Sequence, residues 1–129
     1  MQTNPTYEDV VTEVREFLAQ RVDALVEAGA DERMLMIDPG IGFGKTVEHN
    51  LELLRRLDEL KAVGRPIVVG TSRKSVIGKV LGDAPVEDRL EGTAATVALA
   101  IAKGADIVRV HDVKEMARVA RMSDAIVRG

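Results

Sequence analysis

The sequence predicts an α/β fold in which helices alternate with the parallel strands of one sheet. Three short, largely apolar runs, at 34–37, 66–70 and 106–110, have the length and composition of strands buried in a parallel sheet. Amphipathic stretches separate them, so the element order is α-β-α-β-α-β-α. Connections this short require parallel strands with right-handed crossovers. The core is expected to be aliphatic, because the chain has no Trp, one Tyr and two Phe.

The first helix follows a polar stretch at 1–5 that we expect to be loose. Thr6 is a suitable helix cap, and Glu8 and Asp9 in the first turn complement the helix dipole. Ala28-Gly29 should end this helix. Its apolar residues recur at helical spacing and are Val10, Val14, Phe17, Leu18 and Leu25.

The first predicted strand, 34–37, ends in the carboxylate of Asp38 and runs into a turn. Pro39 lacks a backbone N–H and three alternating glycines permit positive φ, so the strand stops there. The Gly-Lys-Thr at 44–46 is similar to the end of a phosphate-binding loop. However, Pro39 stands where that motif has its first glycine, and the glycine spacing also departs from the dinucleotide-binding fingerprint. A turn that merely connects strand to helix is the alternative.

The middle of the chain is predicted to form a helix from about 47 to 62. Leucines mark one face of this helix and charged residues the other, and Gly64 should close it. The strand at 66–70 then leads into a polar, basic segment, Ser72-Arg73-Lys74-Ser75. This segment therefore follows the carboxyl end of a strand, as Asp38 does.

The last third is predicted to contain three helices around one strand. A short helix at 76–81 precedes Pro85, which suits the first turn of a long, alanine-rich helix ending at 103–104. After the strand at 106–110, Asp112 and Glu115 have the spacing of a capping box that opens the last helix.

Composition excludes several classes of function. With 129 residues the chain forms one compact unit at most, and a net charge of −3 argues against nucleic acid or an anionic membrane as the main partner. The absence of cysteine excludes disulfides and thiolate metal sites. No apolar run reaches membrane-spanning length, and residues 1–5 do not resemble a signal peptide. We therefore expect a cytoplasmic protein.

Polar side chains are expected to meet at one edge of the sheet. Parallel strands share their carboxyl edge, so Asp38, the segment 72–75, Arg109 and His111 should converge. Side chains alternate along the third strand, so Ile107, Arg109 and His111 share one side. An arginine on a strand is costly to bury unless an anion or a carboxylate meets it.

Each of these residues also has a purely structural interpretation. Asp38 could cap a turn and Arg109 could form an ion pair with it. His111 could be a turn histidine bonded to backbone. The remaining residues with such alternatives are Arg73 and Lys74 as solvated charges, Lys45 as a turn or surface residue, and Phe43 as ordinary core.

The functional interpretation rests on what these groups bind. A carboxylate in a cleft accepts two parallel N–H bonds from an amidine-like edge, such as that of a 2-amino-4-oxo heterocycle. Lys74, Arg109 and His111 can hold a phosphate or pyrophosphate and offset charge on a leaving group. Ser75 lies near a helix N-terminus, which favours a carboxylate or a phosphate.

Three segments together resemble dihydropteroate synthase. They are Asp38-Pro-Gly-Ile-Gly-Phe-Gly-Lys45, Ser72-Arg-Lys-Ser75 and Arg109-Val-His-Asp-Val113, in the family's order and at plausible separations. The resemblance covers essentially all of residues 1–129, which are identified as a partial pterin-binding barrel domain.

The resemblance implies a transferase of folate biosynthesis with a TIM-barrel fold. The family joins 4-aminobenzoate to 6-hydroxymethyl-7,8-dihydropterin diphosphate and releases pyrophosphate, with magnesium, in a reaction thought to be dissociative. The implied pterin-binding residues are Asp38, Phe43, Lys74 and Arg109. Those implied for aminobenzoate and sulfonamides are Phe43, Lys74 and Ser75. Arg109 and His111 would meet the diphosphate, and the implied catalytic residues are Lys74, Arg109 and His111.

The chain departs from the family in length. A TIM barrel takes about 250 residues and about eight strands, whereas three strands are predicted here. The resemblance therefore implies the C-terminal part of the barrel, with little or no activity alone and no metal ligand of its own. The magnesium ligand is expected in the N-terminal part. The partners implied are a complementary N-terminal half or a second copy in a homodimer, because unpaired strand edges invite association.

Two other functions stay open at this point. A pterin-binding methyltransferase domain shares the barrel and the pterin-recognising carboxylate, although the segment 72–75 suits a second substrate that bears a carboxylate. A non-catalytic fragment would use its α/β layer only for assembly.

Overall fold

The computed structural model describes residues 6–129, which form five α-helices around a short parallel sheet. The elements in chain order are α1 (Val10–Glu27), a 3-10 turn (Glu32–Met34), α2 (Val47–Arg55), a 3-10 helix (Leu57–Val63), β1 (Val68–Val69), α3 (Ser75–Val80), a 3-10 turn (Val86–Asp88), α4 (Leu90–Ala102), β2 (Ile107–Val108) and α5 (Val113–Arg128). The expectation for residues 1–5 lies outside this range. None of these helices is long and apolar enough to cross a membrane.

The sheet joins three chain segments in sequence order, as expected for successive units of an α/β barrel. β1 and β2 are parallel, with Val68 opposite Ile107. Ile37 forms an isolated parallel bridge with Ile67 on the other side of β1. The Ile37 N–H donates to Pro66 O at 2.9 Å, and the Val68 N–H donates to Ile37 O at 2.8 Å. The parallel order predicted from the connections is confirmed.

The predicted strand at 34–37 is wrong in extent. Met34 belongs to a 3-10 turn, and Ile37 alone makes the bridge. Met34 and Met36 are 79% and 56% exposed. The Met34 and Leu35 N–H groups instead donate within the 3-10 turn, to Asp31 O at 2.9 Å and Glu32 O at 3.1 Å. The other two predicted strands are correctly placed but shorter.

The first helix begins later than predicted. Asp9 caps α1, and its carboxylate accepts hydrogen bonds from the Val11 and Thr12 N–H groups, both at 3.2 Å. Thr6 is therefore not the cap. Asp9 is held there by an ion pair with Arg56 at 3.1 Å, which lowers the pKa of the carboxyl to about 2.

The predicted apolar face of α1 is only partly buried. Val10 and Val14 lie in the core, whereas Phe17 and Leu25 are 59% and 44% exposed. Phe17 borders an open cleft rather than the core, and Leu25 lies two turns further along α1, so periodicity alone gives the wrong burial for them.

The middle helix is interrupted but buries the predicted face. It breaks at Arg56, between α2 and the 3-10 helix, and Gly64 closes it at φ +82° as expected. Three leucines of the predicted stripe are fully buried and anchor the core: Leu53, Leu57 and Leu60.

One predicted helix start and one predicted cap are wrong. Pro85 precedes a 3-10 turn, and α4 begins at Leu90 because Arg89, at φ −125°, interrupts helical geometry. Asp112 precedes α5 but its side chain makes no capping bond. Its carboxylate instead pairs with Arg73 at 2.8 Å, so the predicted capping box with Glu115 does not form.

Candidate functional site

The segment 38–46, here called the glycine turn, is held mainly by its own side chains. Gly40, Gly42 and Gly44 adopt φ of +73°, +89° and +60°, a region that favours glycine. Asp38 Oδ1 accepts the Gly40 N–H at 2.8 Å. Lys45 Nζ donates to two carbonyls of the turn, those of Gly40 and Phe43, both at 2.9 Å. Lys45 is thus an internal brace, as its structural interpretation anticipated.

A buried amide on α2 completes the glycine turn. Asn50 is 4% exposed, and its Oδ1 accepts the Gly42 N–H at 2.8 Å. The helix that carries Asn50 starts with a reciprocal cap between Thr46 and His49. The turn and the helix after it therefore form one hydrogen-bonded unit.

The segment 71–75, here called the basic turn, is held by distant parts of the chain. Thr71 and Ser72 are buried, and Thr71 Oγ1 lies 2.7 Å from Thr96 Oγ1 on α4. Arg73 has φ +59°, which is unusual for a residue with a side chain. Its N–H donates to Thr93 Oγ1 at 3.2 Å, and its guanidinium pairs with Asp112.

Arg89 fastens the same turn from the segment before α4. Its Nη1 donates to Arg73 O at 2.8 Å, and its Nε donates to Ala84 O at 2.9 Å. The guanidinium lies against Gly78, where a Cβ would come within 2.5 Å of Nη2. A side chain at position 78 would displace Arg89.

Lys74 links the two turns. Its Nζ donates to Ile41 O and lies 4.9 Å from the centroid of the Phe43 ring. Burial lowers the pKa of Lys74, and the nearby charge of Asp38 partly opposes this shift. Phe43 is 59% exposed and is not ordinary core. An ammonium with a lowered pKa, set between a carboxylate and an aromatic face, is typical of binding sites.

Arg109 and Asp38 face each other across the carboxyl edge of the sheet. Arg109 Nη2 lies 3.6 Å from Asp38 Oδ2. The guanidinium passes over Gly70, where a Cβ would meet Nη2 at 2.9 Å. The Arg109 side chain is 63% exposed, so this ion pair adds little stability and leaves the guanidinium open to a ligand.

His111 is attached to the basic turn through Ser72. The Ser72 hydroxyl accepts the His111 backbone N–H at 3.1 Å and lies 2.8 Å from His111 Nδ1. His111 itself is exposed. The structure thus brings Asp38, Lys74 and Arg109 close together at the predicted carboxyl edge, and His111 follows the same edge with Ser72 as its partner.

Beside this group lies a cleft of about 460 Å³ between α1 and the glycine turn. It is lined by Tyr7, Glu13, Val14, Phe17, Leu18, Asp38, Pro39, Gly40 and Lys45. Asp38 thus has this cleft on one side and Arg109 on the other.

The Ser75 side chain makes no hydrogen bond to the group. It is exposed at the first residue of α3, and its hydroxyl takes part in none of the hydrogen bonds of residues 6–129. Within the same residues, no cluster of three or more His, Asp or Glu side chains could hold a metal ion.

Sequence reasoning placed Ser72 in the converging segment without its role as the partner of His111, and it missed two supporting residues, Asn50 and Arg89. Asn50 had a usable signal, because it is a polar residue three and seven positions before the buried Leu53 and Leu57. Arg89 had none, since its carbonyl partners become its neighbours only in the folded chain.

Comparison with known proteins identifies the family of this chain. Residues 1–111 match the family model described as pterin binding enzyme. The chain is 48% identical over 128 residues to dihydropteroate synthase from Synechocystis and 50% identical over 121 residues to that from Bacillus subtilis. The two alignments include 99% and 94% of this chain but only 44% and 42% of the full length of the relatives.

A solved structure shares the fold. Dihydropteroate synthase from Clostridium difficile, determined in the presence of pteroic acid, superposes with a TM-score of 0.94 at 49% identity. The match covers 99% of this chain and 49% of that one. The chain therefore spans less than half the length of the curated relatives and about half of this structure.

Proposed function

The chain belongs to the family of pterin-binding enzymes, and we propose that residues 1–129 are the C-terminal domain portion of a dihydropteroate synthase. The complete enzyme would join 6-hydroxymethyl-7,8-dihydropterin diphosphate to 4-aminobenzoate. The products are 7,8-dihydropteroate and pyrophosphate. The observation that carries the proposal is the Asp38–Arg109 pair at 3.6 Å with the Lys74 ammonium nearby; His111 follows the same sheet edge.

Asp38 is the proposed anchor for the pterin. Its Oδ1 is engaged by the Gly40 N–H, which orients the carboxylate, while Oδ2 faces Arg109 at 3.6 Å. A fixed carboxylate accepts the N–H groups of an amino-pyrimidine edge. Lys74 would donate to the pterin carbonyl, and the Arg109 guanidinium and Phe43 would flank the ring.

The reaction breaks the C–O bond between the pterin methylene and the diphosphate. The bonding electrons leave with pyrophosphate, and the aryl amine nitrogen then bonds to the resulting cation and loses a proton. Arg109 and His111 would offset the charge of the leaving diphosphate. This chemistry needs anion stabilisation and positioning more than a strong base, which suits a group of cationic side chains around one carboxylate.

The aminobenzoate is assigned to the region of Phe43, Lys74 and Ser75, which would also bind sulfonamides. The exposed Phe43 ring lies beside the Lys74 ammonium. An aromatic carboxylate can stack on the ring and pair with the ammonium. Ser75, at the start of α3, would add its hydroxyl or backbone N–H.

A binding titration with 6-hydroxymethylpterin tests the proposal on the chain itself. Asp38→Asn keeps the shape but replaces a charged acceptor, so we expect binding to weaken roughly 10- to 100-fold. Asp23→Asn, on the exposed side of α1, is the matched control and should bind as the wild type does. Equal affinity of wild type and Asp38→Asn would overturn the assignment.

The activity of the chain alone is a separate proposal. Because it spans less than half the length of its relatives, we infer that it keeps part of the pterin surface but little or no synthase activity. Full turnover by the isolated chain would contradict this. Addition of the first half of a related synthase should raise turnover.

The remaining assignments follow from the resemblance. They are a cytoplasmic location, a homodimer, sulfonamide sensitivity and a magnesium ion. The described residues do not provide a cluster of three or more carboxylate or histidine ligands for magnesium.

A further inference from the structure

We propose that Ser72 positions His111 and sets its tautomer, so that Nε2 carries the hydrogen and faces the ligand as an N–H donor. Ser72 lies in the basic turn, His111 follows β2, and the two meet at the rim of the proposed site. The assignment of the tautomer rests on geometry alone. Its use in binding a diphosphate rests on the function proposed above.

The Ser72 hydroxyl can donate one hydrogen bond, and its oxygen already accepts one. Its oxygen accepts the His111 backbone N–H at 3.1 Å and lies 2.8 Å from His111 Nδ1. If Nδ1 carried the ring hydrogen, the oxygen would accept twice, and its own hydrogen would need a third partner. Ser72 is 5% exposed, and the hydrogen bonds within residues 6–129 give its hydroxyl no other acceptor. A buried hydroxyl without an acceptor is disfavoured.

The consistent arrangement has Ser72 donating to Nδ1. Nδ1 is then the acceptor of a neutral imidazole, and the hydrogen resides on Nε2. Because Nδ1 faces Ser72, Nε2 points away from the buried serine on an exposed side chain. His111 can thus donate to a diphosphate oxygen without first taking up a proton.

His49 supplies an internal reference for this inference. Its Nδ1 accepts the Thr46 backbone N–H at 3.2 Å, and a backbone N–H can only donate. A neutral His49 must therefore carry its hydrogen on Nε2. These two are the only histidines of the chain.

Long-range ¹H–¹⁵N correlation spectra of the ¹⁵N-labelled chain, recorded where both rings are neutral, test the tautomer. We expect His111 to show the same pattern as His49, with hydrogen on Nε2. In Ser72→Ala the His111 pattern should move toward a mixture of tautomers, while His49 stays unchanged. Ser123→Ala, on α5, is the matched serine control and should change neither ring.

Titration with inorganic pyrophosphate gives a second readout. Ser72→Ala should weaken binding about 2- to 10-fold, the equivalent of one hydrogen bond. Two results would overturn the inference: hydrogen on Nδ1 of His111 in the wild type, or an unchanged His111 pattern in Ser72→Ala. The first result needs only the wild-type spectrum, so the inference can be tested even if the variant folds poorly. The His111 tautomer could change in Ser72→Ala while the wild-type chain binds no pyrophosphate. That result would support the role of Ser72 and count against the diphosphate site.

Discussion

The two turns that form the proposed site are built in opposite ways. The glycine turn is closed by residues within about one helical turn of itself, chiefly Lys45 and Asn50. The basic turn has one internal backbone hydrogen bond, from the Lys74 N–H to Thr71 O at 3.1 Å. Its side-chain support comes from Thr93, Arg89 and Asp112, which lie 16 to 39 residues away. One loop is therefore shaped by local sequence and the other by the assembled fold.

This difference explains what the sequence could predict. The glycine turn could be predicted from the sequence, because proline restricts the backbone and glycine permits positive φ. The parallel order and the shared edge follow from connection length, so the meeting of Asp38 with Arg109 could be predicted.

The start of α4 could not be predicted, because Arg89 leaves helical geometry to reach two carbonyls. The capping box failed for a related reason. The carboxylate of Asp112 is taken by Arg73, 39 residues earlier in the chain. Local capping rules do not include such competitors.

The largest effect should come from removing the buried amide of the glycine turn. Asn50→Ala leaves the Gly42 N–H without its acceptor and opens a small cavity, so we expect the free energy of unfolding to fall by about 2–3 kcal/mol. Chemical denaturation measures this. Glu48→Ala, exposed on the same helix, should stay within about 0.5 kcal/mol of the wild type. If Asn50→Ala lowered the free energy of unfolding as little as Glu48→Ala, the glycine turn would not depend on Asn50.

The next largest effect is expected where the turns touch. Gly42 has φ +89°, and an added Cβ would lie 3.1 Å from Lys74 Cδ. Gly42→Ala should therefore cost about 1–2 kcal/mol in backbone strain and shift Lys74 away from the Ile41 carbonyl. Chemical shift changes at Lys74 report the movement. Gly29→Ala also has positive φ but meets no atom within 4 Å, so it should be destabilised without perturbing Lys74.

A smaller and more selective effect is expected from Arg89→Ala. Two hydrogen bonds to carbonyls are lost from a half-buried site, which should lower the free energy of unfolding by about 1 kcal/mol. Hydrogen exchange should quicken at the Arg73 and Lys74 amides while the Gly42 amide keeps its protection. Arg118→Ala, exposed on α5, is the control. An equal loss of hydrogen-exchange protection in both turns would contradict the conclusion that the basic turn alone depends on Arg89.

The smallest effect concerns charge rather than stability. Asp38 opposes the downward pKa shift that burial imposes on both Lys74 and Lys45. Asp38→Asn removes the nearby negative charge, so the pKa of both lysines should fall further. Titration of ¹³C-labelled lysine measures this. The signals of Lys114, exposed on α5, are the control and should be the same in variant and wild type. An upward pKa shift at Lys74 would contradict the prediction.

The contacts of Arg89 have a consequence for how homologous chains can vary. Residues 83–88 are an exposed connector, where insertions and deletions are normally accepted. Here the Arg89 guanidinium donates one hydrogen bond to Ala84 O, within the connector, and another to Arg73 O, in the basic turn. A change in its length would pull that guanidinium off the peptide beside Lys74. The number of residues in this outer loop should therefore be more constrained than their identity.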